Sequence, residues 1–110
     1  MTRNKNFYVI LLVALVAFTF SACDTTADRE LKRAERALDE ALHFNADAHA
    51  PDDYIEAENL LQDAMELSRN KRIQEAREAA VKAKLRADDA RRKAEERMRI
   101  LDDESRRLGR

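Results

Sequence analysis

Residues 73–94 read IQEAREAAVKAKLRADDARRKA, and this stretch decides the fold. It contains no glycine or proline, and most of its residues are strong helix formers. Apolar residues recur at spacings of three and four, which places them on one face of a helix. Small side chains let helix axes approach closely, so the stretch predicts a helix packed tightly against others. The apolar face consists of Ile73, Ala76, Ala80, Ala83, Ala87, Ala90 and Ala94.

The same helix is expected to cover about 72–108, because nothing before Gly109 breaks it. Met98, Leu101 and Leu108 continue its apolar face more loosely. From residue 73 to 108 a helix is roughly 54 Å long at about 1.5 Å per residue. The other predicted helices are roughly 30 Å long by the same rise. The last helix should therefore extend about four turns beyond its neighbours.

Two shorter helices are predicted upstream, over about 26–45 and 52–69. Pro51 separates them, since proline fits the first turn of a helix and forces the residue before it out of helical geometry. In the turn before the last helix, Asn70 is expected to take the left-handed backbone conformation. The apolar stripes are Ala27, Leu31, Ala34, Leu38 and Ala41 in the first helix and Tyr54, Ala57, Leu61, Ala64 and Ser68 in the second.

These patterns predict an all-α domain over residues 23–110. It is either an antiparallel three-helix bundle or an array of helical hairpins, with a long C-terminal helix. The composition agrees, because 39% of the chain is charged and it contains one glycine, one proline and no tryptophan. The regular heptad-like spacing favours the left-handed packing of coiled coils. Because a core of alanine and leucine with only two aromatics buries limited area, the isolated domain should be only marginally stable.

Charge is unevenly distributed along this domain. Residues 24–68 carry 13 acidic and four basic side chains, whereas residues 69–110 carry nine acidic and 15 basic ones. Two interpretations are open: helices of opposite charge complement each other, or the basic segment meets an anionic partner such as lipid headgroups or a cell-wall polymer. Pairs four residues apart within the last helix, such as Asp88–Arg92 and Asp89–Lys93, are expected to add about 0.2–0.5 kcal/mol each.

The first 22 residues predict a secretory signal peptide. Arg3 and Lys5 place positive charge ahead of an uncharged apolar run over residues 7–20. A span of the membrane needs about 20 apolar residues, so this run is short for a transmembrane helix. A basic start, a short apolar run and small residues after it are typical of a signal peptide.

The sequence FSAC at residues 20–23 resembles a lipobox, the cleavage site of bacterial prolipoproteins. The resemblance implies cleavage before Cys23 and attachment of lipid, including palmitate, to its thiol and new amino group. Ser21 and Ala22 match the motif, whereas Phe20 stands where leucine is usual. Cys23 is the only cysteine, which excludes an internal disulfide framework. The alternatives are an uncleaved signal anchor and a chance cysteine after an ordinary signal peptide.

The alanine pattern also resembles a family, the alanine-rich, uncharacterised periplasmic lipoprotein domain that in some proteins precedes an OmpA-like wall-binding domain. The resemblance implies an envelope location and a helical domain, and it implies no catalytic residues. It runs over 34–94 and is carried by Ala34, Ala37-Leu38, Ala41, the passage from Ala46 to Ala50-Pro51, Ala57, Leu61, Ala64, Ile73, Ala76, Ala80, Ala83, Ala87 and Ala90.

The chain offers little catalytic chemistry. His43 and His49 are six residues apart across a predicted loop, whereas a metal-binding pair on a helix must share one face. The neighbouring carboxylates Asp52 and Asp53 suit the positive end of the second helix. The basic last helix lacks the interleaved aromatics on which bases stack. We therefore expect no enzyme activity, metal, cofactor or nucleic-acid partner.

The leading functional hypothesis is a lipid-anchored structural or protein-interaction module of the bacterial cell envelope. Its expected partners are membrane lipid, through acylated Cys23, and an envelope protein. It is expected to face the periplasm from either the inner or the outer membrane. The alternative is a module that contacts a membrane or the cell wall through its basic C-terminal helix.

Overall fold

The computed structural model describes residues 3–17 and 25–109, and all regular structure in these ranges is helical. The prediction of an all-α fold with a long C-terminal helix is confirmed, since the last helix has 36 residues. The lipobox residues Phe20, Ser21, Ala22 and Cys23 lie outside the described residues. The helices are α1 (Arg3–Ala17), α2 (Thr25–His43), α3 (Ala46–His49), α4 (Pro51–Arg69) and α5 (Ile73–Leu108).

Three of these helices, α2, α4 and α5, form a bundle that runs up, down and up. α5 packs against both α2 and α4, which contact each other less. Ala34 of α2 shares one core cluster with Ala83 of α5, and further along Ala41 shares a second cluster with Ala90. Because the residue numbers rise together, α2 and α5 are parallel, and α4 runs antiparallel to both.

The core of the bundle is built almost entirely from alanine. Fourteen of the 16 buried apolar residues in the described ranges are alanines, and the other two are Leu38 and Leu61. Alanine loses no side-chain entropy in a helix and lets backbones approach closely, so cohesion comes from close helix contact. The buried residues of α5 are Ala76, Ala80, Ala83, Ala87, Ala90 and Ala94, the alanines of the predicted face.

The short helix α3 connects α2 to α4. α2 ends at His43, two residues before the predicted limit, and Asn45 then takes a left-handed backbone with φ of 53°. Ala46 of this connection is buried in the cluster that contains Ala90. Ala50 leaves helical geometry immediately before Pro51, with φ of −141°, as expected for a residue that precedes proline.

The prediction that Asn70 is left-handed is wrong, because Lys71 takes that conformation instead. Asn70 has φ of −81°, whereas Lys71 has φ of 60°. The backbone N–H of Lys71 donates to the carbonyl of Ser68 at 3.1 Å, and that of Arg72 donates to the carbonyl of Leu67 at 2.9 Å. These two hydrogen bonds form a Schellman motif, which places the left-handed residue one position after the helix cap.

α5 projects beyond the bundle, as the length difference between the predicted helices indicated. Its last buried residue is Ala94. Residues 95–108, here named the α5 extension, continue for about 21 Å, or four turns. Met98 and Leu101 lie on the exposed continuation of the buried face. The extension therefore leaves the bundle at the end where α2 joins α4.

α1 is an apolar helix that contacts none of the other described helices. Six consecutive apolar residues, Phe7 to Leu12, are exposed, and six residues cover every side of a helix. None of the described helices is long and apolar enough to cross a membrane.

Candidate functional site

An open groove with an apolar floor lies between α2 and α4. It has a volume of about 380 Å³ and is lined by residues of these two helices alone. It exists because α5 packs against both helices while they contact each other less. Leu38 and Leu61 form its floor and are only 7% and 9% exposed, and Tyr54 and Met65 pack beside them as partly buried residues.

Acidic side chains border this groove on both sides. Glu35 and Asp39 are four residues apart on α2, and Glu58 and Gln62 are four apart on α4, so each pair shares one helix face. All four are exposed, and none of the eight residues that line the groove is basic. None of the three carboxylates forms an ion pair within the part of the chain that the structure describes. We call this surface the acidic groove.

The pKa of Tyr54 is raised by its position in the acidic groove. Partial burial of its ring raises the pKa of the phenol, and the neighbouring carboxylate of Glu58 raises it further. Asp47 and Asp39 contribute in the same direction. Since each carboxylate opposes a second negative charge, the protonated, neutral phenol is favoured. The acidic groove is thus a site of negative potential around an apolar floor.

The opposite side of α4 is held to α5 by ion pairs. Asp53, whose side chain is 12% exposed, accepts a hydrogen bond from the ammonium of Lys93 and lies 3.9 Å from the guanidinium of Arg86. On α2, the carboxylate of Glu40 lies 3.9 Å from the guanidinium of Arg91 of α5. Ion pairs between helices of the bundle therefore neutralise part of the acidic charge of residues 24–68 with basic charge of residues 69–110.

Lys93 and Asp88 do not form the ion pairs predicted for them within α5. Lys93 bonds Asp53 of α4 rather than Asp89, and Asp88 pairs with Lys84 at 2.8 Å. Asp89 pairs with Arg92, three residues away, at 2.8 Å. Lys93 is within reach of α4, and a partly buried carboxylate offers a stronger interaction than an exposed one on its own helix.

The histidines and neighbouring carboxylates considered from sequence are dispersed. His43 ends α2, whereas His49 ends α3. Asp52 is exposed in the first turn of α4, and its neighbour Asp53 is turned toward α5. Within residues 3–17 and 25–109, no group of three or more histidine, cysteine, aspartate or glutamate side chains is placed to hold a metal ion.

Sequence reasoning identified Tyr54 and missed the carboxylates around it. Tyr54 was predicted as a member of the apolar stripe of the second helix, and the structure places its ring at the acidic groove. A signal was present, since Glu35 and Asp39 flank the apolar stripe of α2 at a spacing of four. Both flanks of α2, α4 and α5 carry charge, however, and only helix packing decides which flank borders an opening.

Comparison with known proteins adds no relative: no family model, curated protein or solved structure matches this chain.

Proposed function

We propose that this protein is a lipid-anchored module of the bacterial cell envelope that acts as a structural or protein-interaction element. The observation that carries the proposal is the order of parts at the N-terminus. An apolar helix with exposed side chains on every side, α1, is followed by the lipobox-like residues 20–23. The first helix of the bundle then starts at Thr25, two residues after Cys23.

This arrangement gives the anchored molecule a defined direction. With Cys23 acylated, the start of α2 lies next to the bilayer. α5 runs parallel to α2, so the α5 extension points away from the anchoring membrane. The acidic groove lies on the side of the bundle, between α2 and α4. Several acyl chains on one cysteine anchor a protein durably, because each buried CH₂ contributes about 0.8 kcal/mol. The resulting molecule presents a charged helical surface close to the lipid.

Incorporation of radiolabelled palmitate tests the anchor. Cells that express the full chain should incorporate label into it, and Cys23→Ser should abolish the incorporation. Thr26→Ala, three residues further on and outside the motif, serves as the matched control and should retain the label. Label that survives Cys23→Ser would refute the anchor.

A second proposed function is contact between exposed arginines at the C-terminal end of α5 and an anionic polymer of the cell wall or a membrane, because residues 69–110 carry 15 basic and nine acidic side chains. Arg97, Arg99 and Arg107 are exposed there and form no ion pair among the described residues. Binding of the chain to isolated sacculi should fall steeply as salt is raised, since exposed charges are screened. Arg97→Gln with Arg99→Gln should weaken it, whereas Arg77→Gln with Lys82→Gln should not. Absence of binding at low salt would exclude this function.

A further inference from the structure

We propose that the acidic groove binds one basic amphipathic helix of a partner protein. The inference rests on the proposed function, because it assigns a docking surface and a partner class to the interaction module. It is carried by three features that coincide at one place: a concave apolar strip in which Tyr54 and Met65 stay partly exposed, a length suited to a helix, and carboxylates on both sides.

The shape of the groove suits a helix. From Tyr54 to Met65 the floor runs along α4 for about 16 Å, which is three helical turns. α2 and α4 are antiparallel and contact each other less than either contacts α5. A helix laid between them would cover the exposed parts of Tyr54 and Met65 and complete a four-helix arrangement, with α5 on the other side. An apolar helix stripe with residues at i, i+3 or i+4, and i+7 fits such a groove.

The charges of the groove define the partner. Glu35 and Asp39 border it on α2, and Glu58 borders it on α4. A helix lying on the floor would bring the residues on both flanks of its apolar stripe toward these carboxylates. Lysine or arginine at those flanking positions gives complementary potentials, which speed association and exclude acidic competitors. The partner is therefore a helix with an aliphatic stripe between two basic edges.

The α5 extension of a second copy is a poor occupant. It has an apolar stripe of suitable length, with Met98 and Leu101 exposed. Residues 95–108 nevertheless carry five acidic and four basic side chains, and three of the acids are adjacent in Asp102, Asp103 and Glu104. Like charges facing each other across an interface are unfavourable, so this segment opposes the acidic groove. The charge pattern thus selects a different chain.

A defined pair of peptides tests the inference. The full chain is placed in phosphatidylcholine nanodiscs, with empty nanodiscs as the blank. A fluorescent 15-residue helix with leucine at every third or fourth position and lysine on both flanks is titrated and followed by anisotropy. The same peptide with glutamate in place of lysine is the charge control. We expect the lysine peptide to bind, and the glutamate peptide to bind at least about tenfold more weakly, which is 1.4 kcal/mol.

Matched variants locate the binding. Glu35→Gln/Asp39→Asn/Glu58→Gln should weaken binding of the lysine peptide about fivefold to tenfold, since each exposed charge pair contributes modestly and three are removed. The control removes the same charges from exposed, unpaired positions of α5 and should leave binding within about twofold, because those positions lie outside the groove. This control is Glu78→Gln/Glu96→Gln/Asp103→Asn.

Three outcomes would overturn the groove assignment: no binding of the lysine peptide, equal loss in the two triple variants, or self-association of the chain that the groove variant abolishes. The last outcome would make a second copy the occupant. Palmitate labelling of the same variants keeps the two proposals separate. If the peptide fails to bind while label still enters through Cys23, the groove assignment is wrong and the anchored module stands.

Discussion

At the scale of single residues, Asp53 shows how a helix-start carboxylate becomes a tertiary contact. In the described ranges it is the only polar side chain classed as buried, with 9% of the residue exposed. A buried charge is costly unless it is paired, and Lys93 and Arg86 supply that pairing from α5. Its neighbour Asp52 is exposed in the same helical turn. Substitutions at the two positions therefore distinguish the contribution of a tertiary ion pair to stability from that of a charge at a helix end.

Asp53→Asn should lower the free energy of unfolding by about 1–2 kcal/mol, because hydrogen bonds to charged groups contribute about 1.5–3 kcal/mol and exposure of the Lys93 side chain reduces that contribution. Asp52→Asn removes the same charge from the same helix end and should cost clearly less. Urea denaturation followed by circular dichroism measures both. The chain from residue 24 onward suits the experiment, since α1 contacts none of the other described helices. Equal losses would show that the pair with Lys93 contributes nothing.

Tyr54 should titrate above the ordinary phenol value of about 10. Its pKa is raised in the folded state, by burial first and by Glu58 second. Its contribution to stability is therefore complete below the pKa of the unfolded chain and is lost as pH rises through the folded pKa. In the chain from residue 24, Tyr54 is the single tyrosine, so tyrosinate absorbance reports it alone. Glu58→Gln should lower the pKa, and Glu66→Gln, an exposed position of α4, should leave it unchanged.

At the scale of elements, the turn between α4 and α5 is set by backbone geometry more than by residue preference. Asparagine tolerates a left-handed backbone better than lysine does, yet Lys71 adopts it. The Schellman hydrogen bonds of Lys71 and Arg72 fix the position of the left-handed residue relative to the end of α4. A non-glycine side chain at this position carries a cost of about 1–2 kcal/mol.

Lys71→Gly should therefore raise the free energy of unfolding by about 0.5–1 kcal/mol, after the greater flexibility of glycine in the unfolded chain is subtracted. Asn70→Gly should lower it, because Asn70 has a negative φ and gains nothing from glycine. Thermal denaturation of the two variants side by side measures the contrast. A stabilised Asn70→Gly would contradict the assigned turn.

α5 is the element on which the core depends. Ala87 is fully buried in the cluster that joins α5 to α2 and α4, whereas Ala79 is partly exposed on the same helix. A larger side chain at Ala87 must push the helices apart, since this position is fully buried between closely packed helices. Ala87→Leu should lower the free energy of unfolding by about 1–3 kcal/mol or more. Ala79→Leu should change it little, and equal effects in urea denaturation would argue against a tight alanine seam.

At the scale of the whole molecule, the α5 extension is not required for the bundle. Its residues follow Ala94, the last buried position of α5. Deletion of residues 97–110 should therefore change the free energy of unfolding by less than about 1 kcal/mol, because exposed helix ends contribute little. Deletion from Ala90 onward removes Ala90 and Ala94 from the core and should be strongly destabilising. Circular dichroism during urea denaturation distinguishes the two, and a large loss in the shorter deletion would assign the extension a structural role.

The sequence by itself determined the helical class, the tight seam and the unequal helix lengths. Alanine at alternating spacings of three and four can bury a surface only as one face of a helix, and this face recurs in α5 as six buried alanines. Pro51 marked the start of α4 because proline constrains its own backbone and that of the preceding residue. These features follow from local chemistry, which a sequence records directly.

Only the tertiary structure decided which charges meet and which flank of each helix stays open. Lys93 had an acidic neighbour on its own helix but bonds Asp53 across forty residues of sequence. Glu35, Asp39 and Glu58 border one groove because α5 packs against α2 and α4 from one side. Charged residues occupy both flanks of α2, α4 and α5, so the local sequence pattern does not distinguish one flank from the other. The rotation and packing of the three helices decide which flank of each helix faces its neighbours, and this packing depends on the whole bundle.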